Sequence, residues 1–121
     1  MKRAIWKESK VYHNSEDVPR TQEQEMLGES YFYYEEVEKK HGKQEINGVS
    51  LSNVSRVIKT NAALNFRKGD IVIFEDMPSE EAEYKILEAT SKLPDDEHIK
   101  RAVANFPALE IYHTIKTIYF Q

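Results

Sequence analysis

The residues that could do chemistry in this chain stand apart from one another. His13, His41, His98 and His113 are dispersed, with no two at the three- or four-residue spacing that gathers imidazoles on one face around a metal. Cysteine is absent, which removes thiolate zinc sites, a thiol nucleophile and any disulfide framework. Carboxylates come as neighbours, Glu35-Glu36, Glu80-Glu81 and Asp95-Asp96; adjacent residues of a strand point to opposite faces, and adjacent acids in a loop are usually solvated. No serine sits in a Gly-x-Ser-x-Gly elbow, and four glycines do not make a phosphate-cradling loop. The residue types therefore predict no catalytic group, no metal and no cofactor.

The aromatic run Tyr31-Phe32-Tyr33-Tyr34 is the exception. On a strand it places Phe32 and Tyr34 on one face and Tyr31 and Tyr33 on the other. Such a run can stack bases, but Glu35, Glu36 and Glu38 beside it repel phosphate. Exposed tyrosines are favoured at protein interfaces, and Tyr31 and Tyr33, with Tyr112, are the predicted interface residues.

The elements that must position these residues are mostly strands. A chain of 121 residues is most simply one domain, 1–121. Its 40% apolar and 31% charged composition predicts a modest core with polar excursions. A net charge of −4 gives no basic field for nucleic acid. Met1 to Glu8 starts basic but lacks the apolar run of a signal peptide, and no window approaches a membrane span, so a soluble chain is expected.

Lys68-Gly69-Asp70 is turn chemistry, launching the strand Ile71-Val72-Ile73-Phe74, which is apolar on both faces and so central to a sheet or barrel. Glu83 to Thr90 returns as its partner, after a loop interrupted by Pro78. Ile5 to Tyr12 reads as a first strand and Ser30 to Val37 as another, while Asn47-Gly48 is the preferred two-residue hairpin turn. A phase slip between Leu51 and Val54 predicts a bulge near Asn53. Asp95 to Ala104 has acids first and bases last, a short helix with Ile99, Ala102 and Val103 inward. The alternation from Leu109 to Phe120 predicts the longest strand, with Ile111 and Ile115 on its core face. Phe32, Ile71, Ile73, Phe74 and Ile86 complete the predicted core.

The expected fold is all-β or β-dominated, a small β-barrel of five to seven strands with long loops and one short helix. The excursions are 13–29 and 38–48, too polar to bury themselves and suited to ordering against a neighbouring subunit.

The order of features, and above all Ser55-Arg56-Val57-Ile58-Lys59-Thr60, Leu64-Asn65-Phe66-Arg67-Lys68-Gly69-Asp70-Ile71-Val72 and Glu83-Tyr84-Lys85-Ile86-Leu87, resembles the head-completion or stopper proteins and related minor capsid proteins of tailed bacteriophages. The resemblance covers Ser55 to Ala89, about a third of the chain, and extends to the rest only as a pattern. It implies a structural virion protein, not an enzyme, that forms a ring in the neck, or head-to-tail connector. Portal and adaptor proteins, tail proteins and further copies of itself would be its partners, with the virion neck as its location and the host cytoplasm during assembly. Packaged DNA would meet it only in passing through the channel, and no membrane is involved. The resemblance also implies a loop closing the channel. Glu16, Asp17, Glu23 and Glu25 are the residues nominated for its lining, because like charge avoids lasting phosphate contacts. Gly69-Asp70-Ile71-Val72 also resembles RNA-cleaving toxins with an SH3-like barrel, although here the motif lies past mid-chain among acids. A non-viral β-barrel adaptor module is the remaining alternative.

Overall fold

Strands rich in Val, Ile, Phe and Tyr, separated by Gly, Pro and Asp turns, fold here into a barrel. In the computed structural model, residues 2–9, 26–38, 45–46, 49–78 and 80–121 are described. The strands are β1 (Lys2–Ser9), β2 (Met26–Glu36), β3 (Glu45–Ile46), β4 (Val49–Ser50), β5 (Arg56–Thr60), β6 (Ile71–Phe74), β7 (Glu83–Lys92) and β8 (Ile115–Phe120). Six of them close in the order β1-β2-β5-β8-β7-β6, and β3 with β4 makes a separate hairpin. All the pairings are antiparallel. Two short helices, α1 (Glu97–Asn105) and α2 (Glu110–His113), lie between β7 and β8, joined by a 3-10 turn at Pro107–Leu109.

Aromatic side chains fill the barrel. Phe66 meets Trp6 and Phe32 edge-on at 5.6 and 5.0 Å between ring centres, and Phe74 meets Tyr34 and Phe120 at 5.1 and 5.2 Å. These edge-to-face contacts add roughly 0.5–1.5 kcal/mol each to the burial of the rings. Gly69 turns with φ 94°, the left-handed conformation that the turn before β6 requires.

The barrel, the paired β6 and β7, and the helix are as the sequence predicts. Phe32, Phe74 and Ile86 are core residues, and Ile46 pairs with Val49 across positions 47 and 48. Asp96 caps α1, its Oδ1 accepting from the amides of His98 and Ile99.

Other expectations change. The first strand is described only to Ser9, so Val11 and Tyr12 lie outside the described residues. The excursion 13–29 is shorter, since β2 begins at Met26, and 38–48 contains β3. A 3-10 turn at Leu51–Asn53, not a bulge, absorbs the phase slip. On β6 the inward residues are Val72 and Phe74, while Ile71 and Ile73 are half-buried on the outer face. Both faces are apolar, so alternation alone did not say which turns inward. Val72, wholly buried, is therefore the position on β6 where an Asp would bury a lone charge and abolish folding.

The last strand departs most. Pro107 to His113 is helical, and β8 starts at Ile115 with Lys116, Ile118 and Phe120 inward. Ile111 is half-buried, and Ile115 is 44% exposed. Pro at the start of the 3-10 turn and the αR backbone of Leu109 and Glu110 break the extended pattern, so a phase carried back to Leu109 is inverted.

A candidate assembly surface on the second strand

Strand β2 has two unlike edges. Toward β1 it pairs over eight rungs, from Lys2 with Tyr34 to Ser9 with Met26. Toward β5 it pairs over two, Glu35 with Lys59 and Glu36 with Ile58. The amide of Val37 donates to the Val57 carbonyl at 3.0 Å, and that of Glu75 to the Arg3 carbonyl at 3.3 Å. Because main-chain groups alternate along a strand, these two bonds fix the parity. Even-numbered residues of β2 face β1; odd-numbered ones face β5.

The chain leaves β5 at Thr60, whose Oγ1 donates to the Tyr33 carbonyl at 2.7 Å and accepts from the Ala62 amide at 3.1 Å. Below that stitch, the main-chain groups of Glu29 and Tyr31 and the amide of Tyr33 have no partner among the described residues. This is a short unpaired sheet edge inside a nominally closed barrel.

Side chains on the outer face mark the same place. Tyr31 and Tyr33 are 59% and 54% exposed, while Phe32 and Tyr34 are buried, as the sequence predicts. The Arg3 guanidinium lies 4.7 Å from the centre of the Tyr31 ring and is held there by a two-pronged pair with Glu75, both bonds 2.9 Å. A groove of about 210 Å³ runs beside the edge, lined by Tyr33, Tyr34, Glu35, Lys59, Thr60 and Ile115, among others. Ile115, expected in the core, is instead part of this surface.

The two-rung seam is closed by side chains. Arg56 binds Glu36 and donates to the Tyr34 hydroxyl at 3.0 Å, with its guanidinium 3.6 Å from the centre of the Phe74 ring. Burial works against its charge, but the hydrogen bond with Glu36 and the charges of Glu36, Tyr34 and Asp76 outweigh it and hold its pKa above the ordinary range. The Tyr34 hydroxyl donates to Asp76 at 3.0 Å; burial first, then that hydrogen bond, pushes its pKa up to about 12. At Asp76 desolvation opposes ionisation, but Tyr34, Lys2 and Arg56 together hold the carboxyl below its ordinary value.

Two further buried polar groups are accounted for inside the fold. Asp70 is wholly buried and accepts from Trp6 Nε1 at 2.9 Å, the Ser9 amide at 3.0 Å and the Arg67 amide at 2.9 Å. Lys116 donates to the carbonyls of Ile111 and Thr114 at the end of α2, and burial lowers its pKa. The Asp70 contact was not visible in the sequence, since Trp6 and Asp70 are 64 positions apart.

Tyr112 is 66% exposed but lies on α2 rather than on a strand, and Phe106, six positions earlier at the end of α1, is equally exposed. Its own signal was a bulky apolar residue between a helix and a proline. Glu16, Asp17, Glu23 and Glu25 lie outside the described residues. No cluster that could hold a metal ion occurs among the described residues, and none of their helices is long and apolar enough to cross a membrane. Comparison of the chain with protein-family models, with curated proteins and with solved structures finds no match.

Proposed function

We propose that the chain is a non-enzymatic assembly subunit, and that it serves as a ring-forming protein of a tailed-phage head-to-tail connector, closing the channel over packaged DNA and offering a docking surface to the tail. The observation that carries the assembly role is the β2 surface, where two tyrosines more than half exposed flank a main-chain edge that has no partner among the described residues. Exposed aromatics beside a strand edge provide apolar contact and directional hydrogen bonds together, which suits a protein partner. The connector assignment rests on the resemblance of Ser55 to Ala89, and the barrel is the fold that resemblance implies. In the toxin reading a Ser or Thr and Arg-bearing segment after Gly-Asp would work on RNA; here Glu75, Asp76, Glu80 and Glu81 follow it, and Asp70 itself accepts three N–H bonds that hold β1 to the turn before β6, which supports the structural reading.

Negative-stain imaging with mass by light scattering tests the proposal, on the purified chain alone and mixed with a portal and adaptor assembly from the same source. A ring, or added density at the distal end of the portal, is the expected result. A chain with no affinity for that assembly refutes the connector role, and an RNA-cleavage assay then separates the toxin from the adaptor alternative.

A further inference from the structure

The open stretch of β2 is short, bounded and able to pair with itself. It runs from Glu29 to Tyr33, between a register shift opposite Glu8 and Ser9 at one end and the Thr60 stitch at the other. From these limits we infer that two copies of the free chain join edge to edge, β2 against β2, about a two-fold axis through Ser30. This goes beyond the connector reading, whose ring needs a head-to-tail contact.

The register follows from parity and charge. Odd-numbered residues carry the open main-chain groups, so an axis at Ser30 sets Glu29 opposite Tyr31 of the second copy, and Tyr31 opposite its Glu29, as two hydrogen-bonded rungs. On the outer face each Glu29 carboxylate then approaches the Tyr31 ring of the other copy, over which Arg3 already lies at 4.7 Å. Arg3 keeps 47% of its side chain accessible despite its pair with Glu75, so it can receive a second carboxylate. Moving the axis to Glu29 would set the two Glu29 carboxylates against each other, which is unfavourable. Moving it to Tyr31 would push Gly28 into the place where Thr60 closes the seam of the other copy. The axis at Ser30 avoids the first; by count it would bring Met26 opposite Tyr34, but the register shift between Glu8 and Ser9 draws Met26, where β2 begins, back one rung from the Thr60 position. The second copy is the occupant because this edge carries its own complement, an acid and a cation-backed tyrosine at facing positions.

The absence of native cysteine makes the pairing directly testable. Facing residues of a hydrogen-bonded rung lie about 5.5 Å apart at Cα, within disulfide reach. Glu29→Cys and Tyr31→Cys chains are prepared singly, shown to melt like the parent, and oxidised alone and as an equimolar mixture, with Arg101→Cys on α1 as the random-collision control. The mixture is expected to give disulfide dimer about tenfold faster than either variant alone or the control. Sedimentation of the parent chain should show a dimer that Glu29→Arg weakens about tenfold, since the new charge faces Arg3. Equal rates in mixture and single variants, or a folded chain that stays monomeric and unlinked, overturns the pairing. A chain that docks on the portal assembly without showing the mixed crosslink also overturns it, leaving the connector reading intact.

Discussion

The two edges of β2 achieve closure by different physics. Toward β1 the join is a ladder of eight rungs whose inward side chains, Ala4, Trp6, Phe32 and Tyr34, are all buried. Toward β5 it is two rungs, completed by a threonine hydroxyl and by the Arg56, Glu36, Tyr34 and Asp76 cluster. A ladder distributes its strength over many weak equivalent bonds and is indifferent to pH. A join made of ionisable side chains concentrates it in a few groups and inherits their titration.

Proline substitution is the most severe way to break this comparison. Phe32→Pro removes an amide that pairs with β1 together with a buried ring, and should leave no cooperative unfolding transition by circular dichroism. Tyr31→Pro removes an amide that faces the open edge, and should keep a cooperative melt. Equal damage from both would show the parity assignment to be wrong.

A few kcal/mol is the expected scale for Asp70→Ala, which strands the Trp6 indole N–H and two amides and loosens the hold of β1 on the turn before β6 while leaving the β5 seam intact. Chemical denaturation should show a lower midpoint, with Trp6 fluorescence reporting the change.

The β5 side should fail by titration. The Tyr34 pKa is raised from 10.0 to about 12 in the folded state, so its contribution is complete below pH 10 and disappears as pH rises toward 12, when only the unfolded chain readily ionises. That amounts to about 2–3 kcal/mol, absent in Tyr34→Phe. Asp76 acts in the opposite direction: its lowered pKa contributes stability above the ordinary carboxylate range that is lost as pH falls through the folded value. Denaturant midpoints measured across pH, with and without Tyr34→Phe, decide whether the seam behaves so.

The mildest probe leaves the chain intact. Amide hydrogen exchange in dilute solution should alternate along β2, with Phe32 and Tyr34 protected and Tyr31 exchanging fast. Uniform protection would mean that the second edge is covered.

Much of this architecture was legible from residue order, because the turn at Gly69 and the strand-forming runs are local signals. Tyr31 and Tyr33 could be placed outside because Phe32 and Tyr34 between them favour burial. Where both faces are apolar, as at Ile71 to Phe74, alternation fixes the parity but not its sign. At Leu109 to His113 the pattern of a strand was satisfied by a helix, since a short stretch fits both periods. The open edge had no sequence signature, because it depends on where β5 stops rather than on what β2 contains. The Arg56 cluster and the Asp70 site likewise join distant segments whose meeting only the closed barrel creates.

The insert between β7 and β8 leaves the barrel at Lys92 and returns at Ile115, and those two residues face each other as the last rung of the ladder. Everything from Leu93 to Thr114 is therefore a loop in the topological sense, entered and left at one point. Such a junction is a natural place for lineages of a protein to exchange surface elements, since a tight hairpin could replace the whole excursion without moving a strand. Lys116 would have to change with it, because its buried ammonium donates to two carbonyls, of Ile111 and Thr114, that the insert supplies.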